Sequence, residues 1–439
     1  MLKGIEVRIY PTKEQTGMLN SLLGSYRFVY NQCLNFKQVM YNSANQNTNL
    51  NQTSEFFHNC LRPSFEWLTE HNTKVLKQSI NNLEQAYSNF FKNGSGFPQY
   101  KSRYDVQKAR FPKEAISVNT FDEKGTRFNL TKALKSIKFE CSDRNRNYLL
   151  KNKDGIRSIT ITKKKCGHYY ASFLVEGGLL KQATTPANKF VGIDLGIKTL
   201  VTQSDGKQTL NPKFIRSNEQ RLARLHRNLS RKKPKSKNRE KAREKLARKY
   251  ERIGNQKLDY LHNITSKLVN ENQVIIMEDL NVSGMMQNHN LARSIQELSL
   301  YEFRRQLEYK ATWYGRDLIF VDRFFPSSKL CSGCSHKHEN LTLADRTFKC
   351  PSCKLEIDRD LNAAINILNE GIRIYNLSGQ DLIDYTNDQL AKGNTVNLRL
   401  TRIGTRLPES QYASTVMPVD DQSGLVKQEE VSLRKVKFV

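Results

Sequence analysis

The sequence is short of acidic residues. Its 439 residues carry 43 Asp and Glu against 71 Lys and Arg, a formal charge of +28. That surplus exceeds what solubility needs and favours a polyphosphate partner, with nucleic acid foremost. Long apolar runs are missing too: no stretch approaches the roughly 18 residues of a membrane span. The amino terminus, Met1-Leu2-Lys3-Gly4-Ile5-Glu6, has neither an apolar core nor a small-residue cleavage site. A cytoplasmic protein without a membrane partner is expected. A disulfide framework is also lacking, because Cys33, Cys60, Cys141 and Cys166 stand singly among the eight cysteines, the pattern of reduced thiols. No solenoid-type repeat is visible. What is present, 38% hydrophobic residues, suffices for two or more compact units.

Periodicity divides the chain. Ile5, Val7 and Ile9 alternate with polar neighbours and predict a strand. Thr12-x-x-Gln15 then offers a capping box for a helix that carries Met18, Leu19, Leu22, Leu23, Tyr26, Val29, Tyr30 and Cys33. The Asn-rich stretch 42–51 reads as a loop. A second helix places Val75, Leu76, Ile80, Leu83, Ala86, Tyr87, Phe90 and Phe91 on one face and ends at Asn93-Gly94-Ser95-Gly96. Short strands follow from Phe111 to Glu176, and a small β-barrel or sheet joined to the first strand is expected. Residues 177–188, with Gly-Gly, Thr-Thr and Pro186, break both periods and mark a linker. Beyond it, the apolar strand Phe190 to Ile193 ends in Asp194. Fifteen Lys or Arg and three Glu lie between Arg221 and Arg252 on a helical pattern interrupted by Pro234. Val274 to Met277 then delivers Glu278. A helix from Ala292 to Tyr314 and a strand from Leu318 to Val321 complete an α/β pattern.

The chemistry lies late in the chain. Cys331/Cys334 and Cys350/Cys353 are two Cys-x2-Cys pairs separated by fifteen residues, the zinc-ribbon spacing for four thiolates around one structural Zn2+. Since four thiolates close such a site, His336 and His338 read as surface or nucleic-acid contacts. Ser335 and Lys354 follow the pairs where glycine often eases the tight turn. Cleavage of a phosphodiester by two Mg2+ ions needs hard oxygen ligands, and Asp194, Glu278 and Asp360 are suitable. Two of these stand at the carboxyl ends of core strands, where open α/β sheets hold ligands, and the third in the first turn of a helix. The blander alternative makes Asp194 a turn residue, Glu278 a surface acid, and Asp358 or Asp360 a helix cap. Three Glu cannot balance fifteen cations, so Arg221, Arg224, Arg231, Lys232, Lys233 and Arg239 read as a polyanion groove.

The chain resembles the TnpB family, RNA-guided nucleases encoded by insertion sequences and related to miniature type V CRISPR effectors. The resemblance runs from Met1 to about Arg373. It is carried by Arg27 to Asn31, Leu83 to Phe91, Gly96 to Ser102 and Val191 to Gly196. Most specific are Gln306 to Ala311 with Trp313-Tyr314-Gly315, Val321 to Ser328, the cysteine finger, and Asp358 to Ile367. It implies a multidomain α+β protein. In that reading, residues 1–176 form a wedge-type β-barrel with a helical recognition lobe inserted at about 31–110. Residues 189–328 form a RuvC-like (RNase H-like) nuclease domain, 329–356 a zinc finger, 357–372 the last nuclease motif, and 373–439 a partly disordered tail. It further implies that Asp194, Glu278 and Asp360 are the catalytic triad, Asp360 because it stands two before Asn362-Ala363-Ala364. Lys74 and Gln78, four apart on one helix face, resemble residues that read a short motif beside the target. The partners implied are a transposon-derived guide RNA and double-stranded target DNA, base pairing supplying the sequence specificity, with one copy of the protein per RNA. Two alternatives stay open: an RNA-guided regulator that binds without cutting, and a CRISPR-associated effector. A transposase acting directly is disfavoured, since no Tyr or Ser stands in a distinctive catalytic context.

Overall fold

The computed structural model describes residues 2–177, 189–342 and 345–376. The expected linker past Gly177 and the tail past residue 376 lie outside the described residues. Strand β1 (Leu2–Tyr10) buries Ile5, Val7 and Ile9 on one face. Thr12 then caps α1 (Lys13–Ala44) through a reciprocal box: the Gln15 N–H donates to Thr12 Oγ1 at 3.3 Å and the Thr12 N–H to Gln15 Oε1 at 2.9 Å. The helix runs unbroken for 32 residues and stops where Asn45 turns left-handed at φ 48°, a conformation that asparagine tolerates. Residue 31, the expected start of the helical insertion, falls in its middle.

Short helices α2 (Leu50–Glu55) and α3 (Arg62–Ser64) lead to α4 (Thr73–Asn93). Asn72 caps this helix, and Gly94 ends it at φ 62°, where a residue without Cβ carries no penalty. Val75, Leu76, Ile80 and Leu83 are fully buried toward α1 and the sheet below. That sheet is built from β1, β2 (Gln107–Pro112), β3 (Arg127–Phe128), β4 (Ile137–Glu140), β5 (Ile156–Lys163) and β6 (Tyr169–Glu176), with helix α5 (Asp143–Lys151) between β4 and β5. Its order is β2-β5-β6-β1-β4-β3, and every pairing is antiparallel. Among the described residues no ladder joins β2 to β3, so the expected barrel is an open six-stranded sheet. Strand β3, two residues long, offers too few backbone groups to close it.

The second sheet has the order β11-β10-β7-β8-β9, formed by β7 (Phe190–Asp194), β8 (Thr199–Gln203), β9 (Gln208–Leu210), β10 (Val274–Glu278) and β11 (Asp317–Val321). Strands β7, β10 and β11 are parallel, and β8 pairs antiparallel with both β7 and β9. The central strands are apolar throughout because both faces are covered. On one face Val191, Ile193, Ile275, Met277, Leu318 and Phe320 pack under α8 (Lys237–Glu271), α10 (His289–Leu298) and α11 (Leu300–Tyr314). On the other, Val274, Ile276, Ile319 and Val321 pack under α12 (Arg359–Asn376). Helices α6 (Phe214–Ser217) and α7 (Glu219–Ser230) precede α8, α9 (Val282–Met286) follows β10, and a hairpin of β12 (Thr347–Lys349) and β13 (Glu356–Asp358) precedes α12.

The single helix expected from Ala292 to Tyr314 is two helices, broken at Ser299, whose φ is 55°. The break lets Ile295 and Leu298 on one side and Leu300 and Phe303 on the other enter the same core. The two sheet systems also touch. Lys3 is buried with its ammonium 4.2 Å from the Tyr148 ring centroid and 5.1 Å from that of Trp313 on α11, and Arg144 on α5 donates to the Tyr314 hydroxyl.

Candidate active site

Strand alternation aims the acids. In β7, Val191 and Ile193 face the α8/α11 core, so Phe190, Gly192 and Asp194 face α12. In β10, Ile275 and Met277 take the first face, and Val274, Ile276 and Glu278 the second. The parallel register pairs Ile276 with Gly192 and Met277 with Ile193, which sets Glu278 beside Asp194 at the carboxyl edge.

Helix α12 brings the third carboxylate because it lies almost on the strand backbone. A Cβ on Gly192 would stand 2.3 Å from the Ala364 carbonyl oxygen, and one on Gly371 2.2 Å from Ile276 Cγ2. Only glycine permits that approach, and it sets the first turn of α12 over the end of β7. There the carboxylate of Asp360 comes 4.0 Å from where a Gly196 Cβ would sit. The two acids of the turn divide their work. Asp358 Oδ1 accepts the N–H groups of Asp360 and Leu361, both at 3.0 Å, and is the helix cap. Asp360 is left to face the strands.

Asp194 senses the other two carboxylates. Burial first, then the charges of Glu278 and Asp360, push the Asp194 carboxyl up to about 7. Burial also raises Glu278, opposed by the Ser327 hydroxyl that donates to its Oε1. Two adjacent carboxylates raised by burial, Asp194 further by its neighbours' charges, are a donor set that a divalent cation would relieve. The oxygens of the three acids do not all lie within 4.8 Å of one another, and a pair of ions about 4 Å apart requires a wider spread than one ion does.

Sequence reasoning missed the groups that hold this edge. Asp279, next to Glu278, is buried between Arg304 and Arg323, the latter at 2.9 Å. Ser327 holds Glu278 and is itself held: Asn366 donates to the carbonyls of Ser327 at 2.8 Å and Leu330 at 2.7 Å. One turn earlier, Asn362 donates to Leu330 O at 2.6 Å and accepts the Ser332 N–H at 2.9 Å. Both asparagines are buried where α12 meets the segment from Ser327 to Ser332. Their i, i+4 spacing was the available signal.

The finger joins this arrangement without a break. Cys331, Cys334, Cys350 and Cys353 bring their sulfurs within 4.8 Å of one another, with 3.5 Å between Cys331 and Cys353 and 3.6 Å between Cys334 and Cys350. Four thiolates at 2.3 Å from a tetrahedral Zn2+ would stand about 3.8 Å apart, so the set fits one zinc ion. Ser335 and Lys354 take φ of 59° and 64°, the left-handed turns expected there, adopted without glycine. Cys350 follows β12, Cys353 precedes β13, and β13 runs directly into Asp358 and α12.

The expected polyanion residues divide. Arg221, Arg224, Arg231 and Lys233 are exposed and Lys232 is half-buried, around the α7–α8 hairpin whose seam is Leu222, Leu225, Leu229, Leu246 and Ile253. Arg239 instead clamps the turn, donating to Leu229 O at 3.2 Å and Lys232 O at 3.0 Å. Lys74 and Gln78 line one groove of about 650 Å³ with His58, Lys77 and Asn81.

Comparisons place this architecture. Three family models match: "Probable transposase" over residues 168–289, "Cas12f1-like, TNB domain" over 301–367 and "Helix-turn-helix domain" over 1–46. The last segment is a strand followed by one continuous helix here. Among solved structures, a chain of the Cas12f1-sgRNA-target DNA complex shares the fold at TM-score 0.51 and 17% identity, covering 82% of this chain and 83% of that one. The fold is therefore a mixed α/β one of the Cas12f type. A protein of Streptomyces pristinaespiralis named "Putative RNA-guided DNA endonuclease" is 35% identical over 84% of this chain and 89% of its own. InsQ of Escherichia coli K12, named in the same terms, is 29% identical over 84% and 92%. A TnpB-like protein of Acanthamoeba polyphaga mimivirus is 25% identical over 84% and 73%. The chain belongs to the TnpB family, related to the miniature type V effectors. Among the described residues no helix is long and apolar enough to cross a membrane.

Proposed function

We propose that the protein is an RNA-guided DNA endonuclease that cuts next to a short adjacent motif with a RuvC-like site made of Asp194, Glu278 and Asp360. The observation that carries the reading is the convergence of these acids: adjacent ends of β7 and β10, register-matched and aimed at α12, with the Asp194 carboxyl raised by burial and further by the charges of its two neighbours. The sheet order, with β8 antiparallel between β7 and β9 and parallel β10 and β11 on the other side of β7, agrees with an RNase H-like domain.

Bound Mg2+ would supply a water of lowered pKa and charge stabilisation of the leaving oxygen. The chain's part is to present deprotonated carboxylates in a fixed frame. Ser327 orients Glu278, the Asp358 cap fixes the turn that carries Asp360, and the Arg304–Asp279–Arg323 network holds the end of β10. Zinc in the finger would hold β13 and thereby the start of α12.

The open sheet with α1 and α4 would serve as the wedge and recognition parts, the groove of Lys74 and Gln78 reading the adjacent motif. The exposed cations of the α7–α8 hairpin would track nucleic-acid backbone. The test is to express the gene with its flanking DNA, purify the complex, sequence its RNA and incubate it with matched DNA in Mg2+. One abundant RNA ending in a variable guide, and cutting only of matched DNA, is expected. Heterogeneous RNA, or intact matched DNA, would overturn the reading.

A further inference from the structure

We propose that Cys166, His168 and Glu251 form a second Zn2+ site, which ties the first sheet to helix α8. The three ligand atoms lie within 4.8 Å of one another, although Glu251 comes from 83 residues further along the chain. The hairpin between β5 and β6 supplies the first two. Lys164 N donates to His168 O at 2.9 Å, and Gly167 at φ 84° makes the turn that brings Cys166 and His168 to the same side. Arg248, three residues before Glu251 on α8, donates to the Cys166 carbonyl at 3.3 Å and fixes the turn on the helix.

The carboxylate is oriented as a ligand would be. Tyr170 donates to Glu251 Oε1 at 2.9 Å, and Oε2 points at His168 Nδ1, 2.5 Å away. An outer hydroxyl on one oxygen and a ligand on the other is the usual arrangement of a metal-binding carboxylate. Burial would push the Glu251 carboxyl up, but hydrogen bonds from Cys166, Tyr170 and His168 outweigh it and hold the group below its ordinary value, hence ionised.

The cysteine is the weakest member of this hydrogen-bond network. Its thiol, a weak donor, is buried against a carboxylate that already has the hydroxyl and the imidazole as better ones. As a thiolate ligand it has a reason to be there. Thiolate, imidazole and carboxylate together select Zn2+ rather than Mg2+, and one thiolate with one carboxylate balances its charge. The neighbouring cations are engaged elsewhere: Arg248 also pairs with Glu244 at 3.3 Å, and Lys164 with Glu6 at 3.2 Å.

Binding would replace the thiol proton, which leaves to solvent, while the proton on His168 Nδ1 moves to Nε2, so one proton is released per ion. The His168–Glu251 pair would open from 2.5 Å to the roughly 3.3 Å that two ligands of one tetrahedral zinc ion require. Three protein ligands leave a fourth position, which water can reach because the His168 side chain is 24% exposed.

The inference is independent of the nuclease reading, and its test needs no cleavage. Full-length protein, freed of nucleic acid and stripped of metal, is reloaded with Zn2+ in excess Mg2+, which occupies the carboxylate site, and bound zinc is counted by elemental analysis. Two zinc ions per chain are expected, falling to one in Cys166→Ser and separately to one in Cys350→Ser. Reloading with Co2+ should give a thiolate charge-transfer band that Cys166→Ser weakens but does not abolish. Should Cys166→Ser fail to fold, His168→Gln should lose the same ion with the fold intact by circular dichroism. One zinc per wild-type chain, or two in either variant of this cluster, would overturn the proposal.

Discussion

At the scale of single residues the decisive one is Asp194. Its carboxyl stands near 7 against an ordinary value near 4, because burial and two neighbouring carboxylates disfavour its charge. A raised acid binds more protons folded than unfolded between those two values, so the metal-free protein should lose stability as pH rises from about 4 to about 7 and level off above, by a few kcal/mol at most. Asp194→Asn should flatten that slope. Mg2+, which needs the ionised form, should raise the wild-type Tm more at pH 8 than at pH 5. Thermal melts across pH with and without Mg2+ check both signs, and a Tm independent of Mg2+ at pH 8 would refute them. The sequence made Asp194 and Glu278 legible because each ends an apolar strand. Residue pattern alone left Asp358 and Asp360 as rival caps; the family resemblance favoured Asp360 as the site acid, and the hydrogen bonds from Asp360 N and Leu361 N make Asp358 the cap. The roles of Ser327, Asn362 and Asn366 were hidden, since their partners come from other segments.

At the scale of elements, α12 is the part whose seating matters most. Gly192→Ala would put a methyl group 2.3 Å from Ala364 O and 2.7 Å from Leu368 N, main-chain atoms that cannot step aside. Lifting α12 should cost about 2 kcal/mol or more and withdraw Asp360, so cleavage should fall at least tenfold in protein still folded at 25 °C. A Tm scan beside a cleavage assay tests this, and unchanged values in both would contradict the close packing. The finger reaches the same helix at its amino end through β13. Cys350→Ser should therefore remove the structural zinc, lower Tm, and reduce cleavage although no cysteine touches the acids. A variant lacking that zinc but cutting at the normal rate would refute the connection. Elements were legible where their signals are local. The Thr12/Gln15 box, Gly94 and the turns after each cysteine pair all act within a few residues. The break at Ser299 was not, because a serine at φ 55° is imposed by the core on both sides. The open sheet was not either, since closure depends on how few residues β3 has to pair.

At the scale of the whole molecule, the charge of +28 is organised. The α7–α8 hairpin buries a narrow leucine seam and exposes cations, while Glu251, one of the three glutamates between Arg221 and Arg252, turns inward to the first sheet. Each phosphate contact removed should lower the salt dependence of duplex binding by about 0.9 in log K against log salt. Converting Arg221, Arg224, Arg231 and Lys233 together to Gln should therefore cut the slope by roughly 3 to 4. Arg239→Gln should act through stability instead, because its guanidinium holds the turn. Binding titrations at several salt concentrations distinguish the two, and an unchanged slope in the fourfold variant would remove this face from the nucleic-acid path.

The claim on which the rest depends is that acids from β7, β10 and α12 act as one centre. The most direct measurement is cleavage of matched DNA in Mg2+ by the guide-RNA complex carrying Asp194→Asn, Glu278→Gln or Asp360→Asn singly, with binding of the same DNA measured alongside. Each substitution should reduce the cleavage rate by about a thousandfold or more, as removal of one member of a cooperative catalytic set does, with binding within a fewfold of wild type. A single variant that cuts at the wild-type rate would show that its carboxylate stands outside the centre.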